Sequence, residues 1–329
     1  MSRHRINLII FLIILTFPLF DRTSYHLDVA VLIGIFSILS IGLNVLLGNT
    51  GQISLGHAAF FGIGAYTNAL LTRDVGFSFW SSLPISSLFT GIIGYGIGLT
   101  SLRLKGHYLA MATLAFGIIT STIITEWTEL TGGTGGFRNI PYPAIGSFRF
   151  DSGVKYFYLV WIFVIFIFLF TENFLSTRVG RALKAIHKNE DVANVLGINP
   201  TKYKLKIFGL SAIYAGVAGA LFANHSNFIS SESFSIMVSV SILCMITIGG
   251  LGKTWGSIMG ASLLTLFPEI IRYVVSSPFF SQSVRRALTN YSYHLFIYGI
   301  LMLLVIVFLP GGLISIFQGK GARSQNARS

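Results

Sequence analysis

The chain has 329 residues, of which 53% are hydrophobic and only 10% are charged. Soluble domains usually carry about 25% charged residues, so this composition excludes an ordinary water-soluble fold. The net charge of +12 would suit a nucleic-acid partner or a membrane surface, and the positions of the basic residues must decide between them. A single cysteine, Cys244, excludes an intrachain disulfide and a metal site built on cysteine.

Long apolar stretches recur along the chain and predict membrane-spanning helices, because crossing a hydrocarbon core takes about 20 mostly apolar helical residues. We interpret ten stretches in this way: residues 6–20, 27–47, 56–72, 79–101, 107–127, 157–173, 206–224, 234–252, 255–275 and 292–309. Runs such as Leu159 to Phe170 lack the alternating polarity of transmembrane strands. We therefore expect an all-α integral membrane protein, a polytopic bundle of about ten (eight to ten) helices forming one domain over residues 1–329.

The distribution of charge orients this predicted bundle. With both termini placed in the cytoplasm, most Lys and Arg residues fall on inner segments and most acidic residues on outer ones, as the positive-inside rule requires. The basic surface then faces anionic membrane lipid and any cytoplasmic partner, so we expect no nucleic-acid partner. Arg285 and Arg286, on a predicted outer loop, run against this bias.

The least regular apolar region spans residues 42–68, where glycines alternate with polar side chains. Unpaired backbone polar groups are tolerated at membrane depth only inside protein or beside water. This pattern predicts a broken or re-entrant segment that lines a solute path. A plain cytoplasmic turn followed by a packing helix explains the pattern equally well, and a lone histidine is more often a hydrogen-bonded structural residue. The candidate path residues are Asn44, Gln52, His57, Tyr66 and Asn68.

The long inner segment 175–206 predicts two short helices in a cytoplasmic loop. Asn189 is typical of a helix N-cap, the two acidic residues after it suit the helix dipole, and Gly197 is typical of a helix end. The second helix then has about seven residues and carries an apolar stripe at i, i+3 and i+4, formed by Val192, Val195 and Leu196. Such a stripe suits docking into a partner's groove or contact with the membrane surface, and the residues alone favour neither.

No catalytic or energy-converting motif is found in the sequence. Gly252-Lys253-Thr254 resembles the end of a phosphate-binding loop, but the required first glycine is replaced by Thr247. There is no metal-ligand spacing and no nucleophile motif, so we expect no enzyme activity and no cofactor. No carboxylate lies near the middle of a predicted span, which disfavours a proton-coupled carrier. Any energy for transport must then come from another subunit.

Several motifs along the chain are similar to those of one known family. They run from Gly42-Leu43-Asn44 to Tyr66, from Gly180-Arg181-Ala182 to Asn199, and from Ile248 to Gly252. Together they resemble the LivM-type permeases of branched-chain amino acid importers, over about residues 30 to 310. The resemblance implies that Glu190, Ala193 and Gly197, with Leu196 beside them, form the loop that couples the permease to its ATPase. It thereby favours docking over membrane contact.

The resemblance also implies the partners of the chain. It implies a heterodimer with a homologous LivH-type permease, two cytoplasmic ATPase subunits, and a solute-binding protein that docks on the extracytoplasmic side, where residues 128–156 form the longest loop. The implied activity is import of branched-chain amino acids across the bacterial inner membrane by alternating access. A urea or short-chain amide permease of the same group is one alternative, and a stand-alone channel or secondary carrier is another.

Overall fold

The computed structural model describes residues 11–12, 14–21, 23–101 and 106–276. Its helices are α1 (Phe17–Phe20), α2 (Ser24–Thr50), α3 (His57–Arg73), α4 (Phe79–Ser101), α5 (His107–Glu126), α6 (Thr128–Thr131), α7 (Gly153–Ser176), α8 (Arg178–Lys188), α9 (Glu190–Val195), α10 (Pro200–Ser226), α11 (Ile236–Gly249) and α12 (Thr254–Ser276). Four two-residue strands are β1 (Phe137–Arg138), β2 (Ala144–Ile145), β3 (Phe148–Arg149) and β4 (Phe228–Ile229). Single 3-10 turns occupy Gly133–Gly135 and Ser231–Phe234.

Six stretches of the described chain are long and apolar enough to cross a membrane. They are α2, α4, α5, α7, α10 and the 19-residue stretch Ser231–Gly249, which contains α11. The all-α membrane class is therefore confirmed. Two further predicted spans correspond to α3, with 17 residues, and to α12. The predicted span 292–309 and part of 6–20 lie outside the described residues, so the count of eight to ten stays a prediction.

Helix α10 is the centre of the bundle, because it packs against α2, α3 and α4. These contacts are made through small residues: Gly64 of α3 faces Gly216, and Gly94 of α4 faces Ala212. Where lipid surrounds a bundle, small residues let helix backbones approach closely and gain dispersion energy. The spacing of small residues every four positions in α10 therefore serves close packing, as its sequence indicates.

Helix α2 is the second hub, in contact with α7, α11 and α12 as well as α10. The indole Nε1 of Trp161 in α7 donates to the carbonyl of Ala30 in α2 at 3.2 Å. Trp255 at the start of α12 packs on Phe168 of α7, with ring centroids 4.8 Å apart. Cys244 is buried in α11 as an unreacted thiol. Two hubs therefore position all of the segments discussed below.

The predicted outer loop, residues 128–156, is folded against the bundle. Strand β1 pairs antiparallel with β4, which directly follows α10, so that Phe137 lies opposite Ile229. The Arg73 guanidinium at the end of α3 lies 3.4 Å from the centroid of the Phe137 ring. Near α7, the Lys155 ammonium donates to Asp151 at 2.9 Å and lowers the pKa of that carboxyl. The loop is thus tied to α3, α7 and α10.

Candidate translocation and coupling sites

The helical path breaks where the glycine-rich pattern predicts a break. Helix α2 ends at Gly51, whose φ of +72° is readily adopted only by glycine and whose N–H donates to the Leu47 carbonyl at 2.9 Å. Helix α3 begins six residues later, at His57. The residues between, 52–56, are not helical, and three of the five are buried. Irregular backbone is therefore enclosed by protein at this point of the bundle.

Hydroxyl groups from two distant helices satisfy the backbone of this break. The Leu55 N–H donates to Thr113 Oγ1 of α5 at 3.0 Å, and the Ala58 N–H donates to Ser239 Oγ of α11 at 2.9 Å. Buried backbone donors need such partners, because an unpaired one loses its hydration without compensation. Neither hydroxyl was identified from the sequence, since they lie 58 and 181 positions away.

Asn44 joins α2 to the turn between α11 and α12. Its Nδ2 donates to the Lys253 carbonyl at 2.9 Å and to Ser257 Oγ at 2.8 Å, while its Oδ1 accepts from the Gly252 N–H at 2.8 Å. The amide is 3% exposed. In this conformation Asn44 acts as a structural connector, with both of its polar atoms in use.

Asn68 is likewise a structural connector, near the C-terminal end of α3. It donates to the Asn224 Oδ1 of α10 and accepts from Ser82 Oγ of α4 at 2.6 Å. Asn224 in turn donates to the Pro141 carbonyl of the outer loop at 2.6 Å. A continuous chain of hydrogen bonds therefore joins three helices to the loop 128–156 through Asn68.

The remaining path candidates have unused hydrogen-bonding capacity. Gln52 Oε1 accepts a hydrogen bond from Thr50 Oγ1 at 3.3 Å. The two ring nitrogens of His57 and the hydroxyl of Tyr66 have no partner within hydrogen-bond geometry among the described residues. The assignment of His57 to the path stays a prediction. The Ser54 hydroxyl in the break, which the sequence did not single out, is also buried without a partner. An unpaired buried polar group costs about 1–3 kcal/mol, so these groups would gain from meeting a polar ligand.

All five path candidates are buried in this conformation, each no more than 4% exposed. Gln52 lies in the break and His57 directly follows it. Asn44 lies in the last two turns of α2, and Tyr66 and Asn68 lie further along α3. Within the part of the chain that the structure describes, none of them faces an open passage.

Helices α8 and α9 form a compact hairpin, residues 178–197, which contains the predicted coupling residues and is called the coupling hairpin below. The Asn189 Oδ1 accepts from the N–H groups of Asp191 and Val192, at 3.0 and 3.1 Å, so the predicted N-cap is confirmed. Helix α9 has six residues and is followed by Gly197 at φ +80°, the left-handed conformation that terminates helices. The predicted two-helix loop is therefore present with its predicted start and stop signals.

The two faces of the hairpin tip differ sharply. On the inner face Ala193 is 1% exposed, and the Glu190 carboxylate pairs with Lys204 Nζ of α10 at 2.5 Å. On the outer face Val195 is 87% exposed and Leu196 is 71% exposed, with Val192 beside them. Exposed apolar side chains on a braced element are typical of an interaction surface.

The hairpin and the break contact each other directly. A Cβ atom added to Gly51 would lie 3.3 Å from the Nδ1 atom of His187, in the last turn of α8. Gly48 lies one turn earlier in α2, and its carbonyl oxygen would be 3.1 Å from a Cβ atom added to Gly252. The end of α2 is therefore held between the coupling hairpin and the turn that precedes α12. The sequence gives no sign of this juxtaposition, because the two segments are more than 130 residues apart.

Known proteins match most of the chain. The family model described as "Branched-chain amino acid transport system / permease component" matches residues 25–306. The high-affinity permease proteins LivM of Salmonella typhimurium and Escherichia coli are each 35% identical over 310 residues, which cover 87% of this chain and 69% of theirs. The LivH permease of Escherichia coli is 22% identical over 302 residues, covering 85% of this chain and 91% of its own.

Proposed function

The chain belongs to the LivM-type branched-chain amino acid permease family, and from this premise we propose that it is a membrane subunit of an ATP-driven importer of these amino acids. The observation that carries the proposal is the coupling hairpin: it presents an apolar tip outward and touches the break in α2–α3 on its inner side. A subunit without a nucleotide motif needs such a surface to receive work from a partner.

The proposed partners follow from the surfaces of the chain. Two ATPase subunits would bind the tips of this hairpin and its counterpart on the cytoplasmic side. Similarity to LivH supports a homologous LivH-type permease as the second half of a heterodimer. A solute-binding protein would dock on the folded outer loop, residues 128–156. We place the complex in the bacterial inner membrane, with both termini cytoplasmic and eight to ten spans in this chain.

The proposed mechanism uses the contacts on both sides of the hairpin. Closure of the ATPases pushes on Val195 and Leu196. The Glu190–Lys204 ion pair carries that motion to α10, and the His187–Gly51 contact carries it to the end of α2. Because α10 packs on α2, α3 and α4, a shift of α10 changes the enclosure of the break. Gln52, His57 and Tyr66 then become accessible to the solute, with Asn44 and Asn68 exchanging their structural bonds.

Co-purification tests the proposed assembly. The full chain is tagged, isolated from its native membranes in mild detergent, and the accompanying proteins are identified by mass spectrometry. A second permease and ATPases in stoichiometric amounts, with ATP-dependent leucine uptake after reconstitution, are the expected result. A chain that emerges repeatedly alone and moves solute without ATP would establish the stand-alone carrier instead. Uptake of urea or acetamide in preference to leucine would select the amide alternative.

Cysteine accessibility tests the proposed path separately. Single cysteines replace Gln52, His57 or Tyr66 in a Cys244→Ala background, and Phe61, an apolar residue of α3 that is 1% exposed, supplies the buried control. A membrane-impermeant thiol reagent should label the path positions during ATP-driven transport and leave the Phe61→Cys variant unlabelled. Uniform protection of all positions in every state would remove the path assignment, while the assembly tested above would be unaffected.

A further inference from the structure

A groove outside the path lies among α4, α7 and α10, with a volume of about 620 Å³. This volume falls within the ~300–1,000 Å³ typical of ligand sites. Its walls are almost entirely apolar, and its floor is bare backbone, because a Cβ atom added to Gly209 would lie 3.6 Å from the Gly91 carbonyl oxygen. The principal side chains along the walls are Leu88, Ile92, Phe170, Leu210 and Ile213.

The polar groups that line this groove are Tyr203 and Lys206, toward the start of α10, and Tyr95 on the α4 wall beside Gly209. Tyr203, Lys206, Leu210 and Ile213 follow one another at helical spacing, so the groove changes from polar to apolar over roughly 15 Å along the helix. The polar end is the one nearest the coupling hairpin, which directly precedes α10. The groove therefore has the polarity gradient of one membrane leaflet, with its polar end on the hairpin side.

Lys206 brings a positive charge to that polar end. Its neighbour Lys204 pairs with Glu190, whereas Lys206 is exposed and forms no ion pair within the described ranges. The aliphatic stem of a lysine packs along an apolar wall while its ammonium reaches the headgroup level. Basic groups at the mouth of a groove between membrane helices favour anionic lipid headgroups.

We propose that this groove is a binding site for an anionic phospholipid of the cytoplasmic leaflet. Its phosphate lies at Lys206 and the Tyr203 hydroxyl, and one acyl chain lies along Leu210 and Ile213. One lipid molecule matches both halves of the site. Its negative headgroup lies at the polar end of the groove, and its acyl chain lies along the apolar walls. An apolar helix of a partner subunit would fill the walls and leave the lysine charge unpaired. The site is independent of which solute the importer carries.

Retention of lipid after purification tests the site. The full chain, with any subunits that accompany it, is placed in nanodiscs of phosphatidylglycerol and phosphatidylcholine, transferred to a non-ionic detergent, and its bound lipid is counted by native mass spectrometry. Lys206→Gln should lower the retained phosphatidylglycerol roughly fivefold, the factor expected for one lysine beside an anionic headgroup. Lys202→Gln is the matched control, because Lys202 is exposed on the same helix but does not line the groove. Equal loss in both variants, or no loss in Lys206→Gln, overturns the proposal.

Two further variants test the apolar half of the site. Leu88 is 58% exposed on the α4 wall, so Leu88→Trp narrows the groove without entering the bundle core. It should reduce phosphatidylglycerol retention while the thermal midpoint of the chain stays unchanged. Ile92 is 70% exposed, so an Ile92→Cys variant can show whether a partner subunit occupies the groove instead of a lipid. Cross-linking of Ile92→Cys to a second permease subunit in native membranes would make the groove a protein interface and overturn the lipid site.

Discussion

The break between α2 and α3 and the tip of the coupling hairpin have opposite polarity relative to their surroundings. In the break, polar side chains such as Ser54 and His57 are buried, and part of their hydrogen-bonding capacity is unused. At the tip, Val195 and Leu196 are apolar and exposed. Each arrangement costs free energy in the isolated chain, the first by lost hydration and the second by exposed apolar surface. Both segments would therefore gain free energy from a further interaction, which the proposed function supplies as a solute or a second conformation at the break and as a partner at the tip.

The most direct test of this difference is to replace an apolar residue of the tip by a charged one. Leu196→Glu should weaken ATPase binding by about 2 kcal/mol or more, roughly thirtyfold, because an apolar anchor at an interface centre is replaced by a charge. The measurement is ATPase retained on the tagged chain at rising salt. Asn194→Glu adds the same charge to an exposed position of the same helix and should have little effect. Equal retention in the Leu196→Glu variant would remove the tip from the interface.

On the side of the break, the largest effect is expected at Asn44. Asn44→Leu keeps the volume but leaves the Gly252 N–H unpaired and removes one of the hydrogen bonds to the Lys253 carbonyl, which should destabilise the bundle by about 1–3 kcal/mol. Asn49→Leu is the control, since Asn49 in the same helix donates only one long bond, 3.4 Å, to the Asn44 carbonyl. Thermal midpoints in detergent compare the two. If Asn44 lined the path and had no structural role, the two variants would have equal thermal midpoints.

The end of α9 offers a more selective change. Gly197 has φ +80°, and nothing lies within 4 Å of an added Cβ atom, so a substitution there strains the backbone without a steric clash. Gly197→Val should cost about 1–2 kcal/mol and uncouple uptake from ATP hydrolysis while the bundle stays folded. Gly197→Asn should retain most of the uptake, because asparagine tolerates this conformation better. Parallel assays of uptake and ATP hydrolysis in liposomes report the coupling, and unchanged uptake by Gly197→Val would contradict it.

The smallest effect is expected at the brace between hairpin and bundle. The Glu190–Lys204 pair is partly exposed, so Lys204→Met should loosen α9 by less than about 1 kcal/mol. Hydrogen exchange of the α9 amides should then accelerate by up to about fivefold, with the rates in α10 unchanged. Lys202→Met, at an exposed position of the same helix, is the control. Equal rates in the two variants would show that the ion pair does not hold the hairpin.

Local patterns were enough to predict the long helices of the described residues, but not the four short strands. The long apolar runs predicted six helices that the structure describes as long and apolar enough to cross a membrane. Asn189 and Gly197 predicted the start and end of α9, and the glycines around Gly51 predicted the break. These predictions are confirmed because each depends on residues close in sequence: the apolarity of a run, an N-cap hydrogen bond and a left-handed φ are each decided within one segment of the chain.

Tertiary structure alone decided which of the polar residues are free and which are already in use. The sequence treated Asn44, His57 and Asn68 alike, yet the two asparagines are hydrogen-bonded to partners more than 150 positions away and the histidine is not. The approach of His187 to Gly51 likewise depends on the packing of α8 against α2, and the groove that ends at Lys206 on the packing of α4, α7 and α10. Local chemistry therefore determined the class of the chain, its long helices and its two-helix hairpin. Their connection depends on long-range packing, which side-chain shape decides in three dimensions and which a linear pattern of polarity does not record.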